Sequence, residues 1–468
     1  MGIDPFEYEE DFPAEQLSIY EDGGVCPVYI GDEFKNGRYK IINKLGWGQL
    51  ATVWAALDTH QDIDVAIKVM AAKISEDNEE LRILQSIQQN ATQHPGRKHL
   101  PQLLDHFYEE SRGNRHLFIV TELLGPPVMG ITHMLPRYCF SLARARHIIK
   151  QLLLAVDCLH SIGIAHGDIY RENILFRRPP SWKLLDFSEV CQYELTRTDG
   201  APIQEGLPRH IVDRIQFEAY LDHEDVKALD QIQLIDFSSS FFASTPPQSI
   251  HTPFQFSPPE KIFGKPLSKS VDIWNIGCMT FYLVTCSFPF EAMFYEDEVI
   301  PQIQRNLGES ATQWVSAALD EAKRNGRTFK HMEDDGETKP IIEHLSECYF
   351  DRYDPNRQSD NEDSPSQSSD EDTRPQSDDE DSPCHSNDES SPHKSDGESP
   401  PPQSNDKNLP AQSSDGNSPP RINEEAEQRA VEEKELAALG HFIKRALTVD
   451  PLKRPTIGEL LAEEWINM

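Results

Sequence analysis

Long apolar runs are missing from this chain. No stretch approaches the roughly 18 consecutive apolar residues of a membrane span, so no helix crossing a bilayer is expected. A secretory leader is missing too: the first residues are acidic (Asp4, Glu7, Glu9, Glu10, Asp11), where a signal peptide is basic and then apolar. Gly2 is present, but Phe6 stands where an N-myristoylation signal takes serine or threonine. A cytoplasmic or nuclear protein is the expectation. Cysteine is sparse, with eight residues (Cys26, Cys139, Cys158, Cys191, Cys278, Cys286, Cys348, Cys384) and no pair at metal-ligand or redox spacing. They read as reduced thiols, none of them catalytic. Basic residues are outnumbered, 44 Lys and Arg against 79 Asp and Glu, for a net charge of -35. That balance disfavours direct nucleic-acid binding and favours a basic partner, wherever the charge lies on a folded surface.

What is present is enough apolar matter, 37% of 468 residues, for one large bilobal core or two ordinary domains. From about Arg352 to Pro420, in contrast, the chain is Ser, Asp, Glu, Pro and Gln, as in "SPSQSSDEDTRPQSDDEDSP". Such a segment buries too little to repay its ordering entropy, so it reads as disordered. It is internal, because "LGHFIKRALTVDPLKRPTIGELLAEEWI" follows with helical periodicity. The insert must therefore leave and re-enter one folded lobe.

Four motifs stand in order. In "YKIINKLGWGQLATVWAALD", a strand from Tyr39 to Leu45 reaches Gly46-Trp47-Gly48, expected as a tight turn, and a strand resumes at Ala51. Such a hairpin can lower its amides onto phosphates, although any β-turn may use Gly-x-Gly. "VAIKVM" then sets Lys68 in a β-branched strand, where its ammonium needs a partner. Glu80, on the helix predicted for "NEELRILQSI", is a candidate, and a lysine that snorkels to solvent is the alternative. "LFIVTELL" is a strand running into Glu122-Leu123-Leu124, a hinge between lobes, with Thr121 behind a cofactor pocket. The helix "ARHIIKQLLLAVDCLHSIG" carries a core-facing stripe (Ile148, Ile149, Leu152, Leu153, Val156, Leu159), ends at Gly163, and opens into "AHGDIYRENIL". There Asp168 and Asn173 place an acid and an amide five positions apart.

Together these motifs resemble a eukaryotic protein kinase, and "VYIGDEFKNGRYKIINKLGWGQLATVWAALD" resembles the opening of the SR-protein-specific kinases, their divergent fungal members in particular. The resemblance runs from about Pro27 to the C-terminus. It implies an α+β, bilobal protein-kinase-like fold, with a small antiparallel β N-lobe and a large, mainly α-helical C-lobe. The implied organisation is an N-terminal extension (1–26), an N-lobe and hinge (27–124), a C-lobe (125–351) with a family-type insertion (176–232), the acidic insert (352–425) and closing helices (426–468). ATP is implied against Leu45, Gly46, Gly48, Val53, Ala66, Lys68, Thr121, Glu122 and Leu124. Lys68 and Glu80 become the phosphate-clamping ion pair, Asp168 the catalytic base and Asn173 a magnesium ligand. Glu260, Asp272 and Arg454 become structural anchors, with Arg454 paired to Glu260 in preference to a solvated helix-start charge. The second magnesium ligand has two candidates. Asp186 in "LLDFSEV" has the usual short spacing after Asn173, or is a helix N-cap. Asp236 in "LIDFSSS" has the usual spacing, about two dozen residues, before "SPPE" ending at Glu260, and is preferred.

Three departures stand out against the family pattern. Gly167 replaces the arginine before the base, which weakens the case for control by loop phosphorylation. Tyr170 replaces the lysine that contacts the γ-phosphate, and Arg171 beside it is a possible substitute. Ser238 replaces the glycine after Asp236-Phe237. Three functions follow: a monomeric serine/threonine protein kinase for basic Arg/Ser-rich substrates, using ATP and Mg2+; a pseudokinase scaffold; or a small-molecule phosphotransferase, some of which share a His-Gly-Asp loop.

Overall fold

The computed structural model describes Tyr8, residues 15–179, Trp182, and residues 190–332, 339–351 and 421–468. Asp186, Cys384 and residues 352–420 lie outside the described residues. The described residues up to Asp351 and those from Val431 to Met468 belong to one compact unit.

The first lobe is a six-stranded antiparallel sheet. Its strands are β1 (Glu33–Phe34), β2 (Tyr39–Gly48), β3 (Ala51–Asp58), β4 (Ile63–Met70), β5 (Leu103–Ser111) and β6 (Asn114–Glu122), in the order β1-β2-β3-β4-β6-β5. Helix α1 (Glu79–Asn90) interrupts them, and Asn78 caps it by accepting a hydrogen bond from the Leu81 amide at 2.9 Å. The glycines fall differently from expectation. Gly46 and Gly48 end β2, and the reversal is at Gln49-Leu50. Neither glycine has a positive φ, so neither is there for turn geometry. One face of the sheet is covered by Leu17, Tyr20 and Val25, from the segment 1–26 expected as an extension, and by Val28 just after it. Glu15, Tyr20 and the buried Lys44 are hydrogen-bonded there, with the Lys44 ammonium 5.1 Å from the ring of Trp47 and 5.5 Å from that of Trp54.

The second lobe is mainly helical. It opens with α2 (Leu142–Ser161) and the short strands β7 (Ile164–Ala165) and β8 (Ile174–Phe176), which frame the Asp168 loop. The expected insertion folds as β9 (Gln192–Glu194), β10 (His210–Val212) and α3 (His223–Ala228), and its Leu195, Leu207, Ile211 and Val212 pack on the first lobe. Strands β11 (Ile232–Leu234) and β12 (Phe241–Phe242) pair with β8 and β7. Then follow α4 (Pro259–Ile262), α5 (Ser270–Thr285), α6 (Val299–Leu307), α7 (Glu309–Arg324), α8 (Ile341–Asp351), α9 (Arg421–Ala446) and α10 (Ile457–Leu461). Every residue of α5 from Val271 to Thr285 is buried, which makes it the spine of the lobe. Helix α9 begins at Arg421, inside the span 352–425 expected to lack structure. No helix among the described residues is long and apolar enough to cross a membrane.

Candidate active site

Lys68 joins two distant parts of the chain. Its ammonium lies 2.8 and 2.9 Å from the Glu80 carboxylate on α1 and 2.9 Å from Oδ1 of Asp236 after β11. Burial opposes the lysine's charge, but the two carboxylates outweigh it and hold Lys68 above its ordinary pKa. Burial likewise opposes the charge of Asp236, and Lys68 reverses the effect, keeping that carboxylate ionised. Asp236 has φ of +65°, a strained setting for a non-glycine residue that the surrounding bonds must sustain. The Ser238 amide donates to the same Oδ1 at 3.1 Å, so serine in place of glycine still leaves its backbone serving the carboxylate.

Opposite stands the Asp168 loop. Asp272, fully buried on α5, accepts the His166 amide at 2.9 Å and the Gly167 amide at 2.8 Å, and contacts His160 Nε2 at 2.8 Å. The Asp168 amide donates to His166 Nδ1 at 3.3 Å, so His166 Nε2 carries the proton and donates to the Ile235 carbonyl at 3.0 Å. This bond ties the loop to the segment that carries Asp236. Asn173 Nδ2 donates to the Asp168 carbonyl at 2.9 Å and to its Oδ2 at 3.1 Å. Burial pushes the Asp168 carboxyl up to about 7, against the pull of the Thr252 hydroxyl, which donates to Oδ1 at 2.9 Å.

Residues expected around a nucleotide lie on one run of the sheet. Val53 pairs with Lys68 and Ala66 with Thr121, and Glu122 ends β6. Leu45 and Ala66 pack with Leu123 and with Ile215 and Phe217 of the insertion, which the sequence did not place there. A Cβ added to Gly46 or Gly48 would meet nothing within 4 Å, so these positions leave open space that no protein group fills. That space suits phosphates approached by backbone amides. Asp236 and Asn173 supply the hard oxygen donors that magnesium takes in small number when phosphates complete its shell. Among the described residues there is no cluster of three or more His, Cys, Asp or Glu that could hold a metal ion by itself.

Arg171 does not turn toward the base. Its Nη1 donates to the Tyr282 hydroxyl at 2.8 Å, and Nε is 3.3 Å from Glu172. Tyr170 packs edge-on to Phe256, with ring centroids 6.4 Å apart. Two residues absent from the sequence reading surround Asp168: Thr252 and Lys261. The Lys261 ammonium donates to Ser257 Oγ at 2.9 Å and the Thr252 carbonyl at 3.5 Å, pairs with Glu296, and lowers the Asp168 pKa through its charge. Lys261 directly follows Glu260 in "SPPEK", and only the fold brings it here. Glu260 itself makes a two-pronged bond to Arg454, at 2.6 and 2.7 Å, with both side chains fully buried.

Comparison with known proteins fits this geometry. A model of the protein kinase domain matches residues 39–204. Protein kinase dsk1 of Schizosaccharomyces pombe is 38% identical over 165 residues, which are 34% of this chain and 30% of that one. Serine/threonine-protein kinase SKY1 of Saccharomyces cerevisiae is 34% identical over 170 residues, 34% of this chain and 23% of that one. SRSF protein kinase 3 of Mus musculus is 34% identical over 170 residues, 36% of this chain and 30% of that one. The matched stretches thus span less than a third of the length of these curated relatives. The domain match ends before Asp236, Glu260 and Arg454, whose grouping rests on the geometry alone.

Proposed function

From the premise that this chain carries a protein kinase domain with homologues among the SR-protein-specific kinases, fungal members included, we propose that it is a serine/threonine protein kinase that uses ATP and Mg2+ on basic, Arg/Ser-rich protein segments. The observation that carries the reading is Lys68 bonded at once to Glu80 and Asp236, opposite an Asp168–Asn173 loop anchored by Asp272. Lys68 supplies positive charge to the α/β-phosphates. Asp168 accepts the substrate hydroxyl proton while the oxygen–γ-phosphorus bond forms and the bond to the β-phosphate oxygen breaks. Asn173 and Asp236 would hold magnesium, whose chemistry here is neutralisation of phosphate charge. Lys261, set behind Thr252, pulls the Asp168 pKa down through its charge, against the burial that raises it.

A pseudokinase is the second reading, favoured by Tyr170 and by Arg171 being engaged with Tyr282. A small-molecule phosphotransferase fits the Asp168 loop, but the buried Glu260–Arg454 closure favours a protein substrate. Radiolabelled ATP offered with an Arg/Ser peptide, a matched Glu/Ser peptide and small alcohols separates the three. The expected result is label in the Arg/Ser peptide, with a preference that shrinks as salt is raised and exposed charges are screened over about 8 Å. Equal labelling of both peptides, or a preference indifferent to salt, contradicts electrostatic selection of basic substrates.

A further inference from the structure

The insertion crosses from one face of the first lobe's sheet to the other. Side chains alternate along a strand, so Val65, Ile67 and Val69 of β4 share one face while Ala66 and Lys68 share the opposite one. Ile211 and Val212 of β10 pack on the first face, in one cluster with those three β4 side chains. Just beyond them, Ile215 and Phe217 are buried on the second face, clustered with Ala55, Ala66, Leu45 and the hinge residue Leu123. The crossing is at Asp213 and Arg214, around the edge of β2 that β3 leaves free. There Arg214 bridges Lys44 in parallel, and the Ile215 amide donates to the Lys44 carbonyl at 2.8 Å.

This second face is the one that looks onto the catalytic groups, because Lys68 reaches Asp236 from it. Its chemistry changes along its length. Val53 and Lys68 pair at the charged end, and Ala55 and Ala66 pair two residues nearer the hinge, where Ala66 also meets Thr121. Ile215 and Phe217 therefore stand at the apolar end, beside Leu123. They edge the cleft without filling it, since Val53, Ala66 and Thr121 are only half-buried. A flat aromatic ligand is held by apolar walls with a few polar groups to orient it, and a phenyl side chain offers a large contact area for such a wall. The Ile215 backbone bond falls on Lys44, directly before Leu45 and Gly46, so the insertion and the glycine-bearing end of β2 are fixed to each other.

We propose that Ile215 and Phe217 complete the apolar wall around the adenine ring, so that the insertion contributes directly to nucleotide affinity. The proposal rests on the reading of this cleft as a nucleotide site and adds two contact residues to it. The phosphates, bound at the Lys68 end, do not depend on them.

The test is calorimetric titration of the full chain, with magnesium, using ATP and tripolyphosphate, which has the phosphates without the ring. Phe217→Ala should weaken ATP about tenfold and leave tripolyphosphate unchanged, and Ile215→Ala should act in the same direction. In turnover, the same loss should fall on KM for ATP and spare kcat. ATP binding indifferent to both variants overturns the proposal alone. Equal weakening of ATP and tripolyphosphate also overturns it, by showing a purely structural role, and so does tighter ATP binding by Phe217→Ala, by showing that the ring occupies the place of adenine. Failure of the unaltered chain to bind ATP contradicts the nucleotide reading itself, and the proposal falls with it. Should Phe217→Ala fail to fold, Phe217→Leu decides: ATP weakened at least about threefold with tripolyphosphate unchanged supports the wall, and any other pattern overturns it.

Discussion

Gly167 has φ of +81°, and a Cβ added there would lie 2.5 Å from the Ser239 carbonyl oxygen. The missing arginine before the base is therefore a steric requirement of this loop. Gly167→Ala should lower the unfolding free energy by about 1–3 kcal/mol and displace the Asp168 backbone, read by denaturant titration and by loss of turnover. Asp168 acts ionised, so kcat/KM should rise with pH through about 7. Thr252 and Lys261 both lower that carboxyl's pKa. Thr252→Val and Lys261→Met should each push it higher, move the acid limb of the profile upward, and lose activity at pH 7 that returns as pH is raised. A profile of unchanged shape and lower height would mean that neither residue acts through Asp168. Lys68, Glu80 and Asp168 were legible because their chemistry follows a motif order in one chain. Thr252 and Lys261 were not, because their roles arise from hydrogen bonds between segments that share no spacing.

Pairs of elements meet through a few charged contacts whose partners lie far apart in sequence. Glu260 on α4 and Arg454 ahead of α10 are buried together, and Arg454 also donates to the Ser270 and Thr448 carbonyls. Removing one partner leaves the other charge buried and unpaired, so Arg454→Met should cost about 3–5 kcal/mol in chemical unfolding. A cost under about 1 kcal/mol would show that water reaches Glu260 and that the pair is not a closure. The choice between Asp186 and Asp236 is also made at this scale. Asp236→Ala should abolish magnesium-dependent nucleotide binding, measured by titration with and without the metal, while Asp186→Ala leaves it nearly intact; the reverse result removes Asp236 from the site. Spacing to Glu260 is what favours Asp236 in the sequence, and the structure sets its carboxylate 2.9 Å from the Lys68 ammonium. The hairpin was less readable: Gly46 and Gly48 suggested a turn, but β2 continues through them to Gln49-Leu50. Their value is the open space they leave, which composition cannot distinguish from turn propensity.

At the scale of the whole molecule, the two-lobed architecture was visible because apolar periodicity marks α2 and the β-branched strands mark the sheet. The docking of the insertion on the first lobe was not, since Ile215 and Phe217 find Leu45 and Ala66 only through tertiary packing. Residues 358–420 lie outside the described residues, and their composition gives them little to bury. Excising them should leave the thermal transition nearly unchanged, and a large drop would place a structural element within them. The central claim is phosphoryl transfer by Asp168 from ATP to a protein hydroxyl. The decisive measurement is incorporation of labelled γ-phosphate into serine of an Arg/Ser peptide by the full chain and by Asp168→Asn, at equal concentration and with magnesium. The account predicts serine labelling by the full chain and a loss of at least about 100-fold in the variant. No labelling by the full chain, or labelling that survives Asp168→Asn, would contradict it.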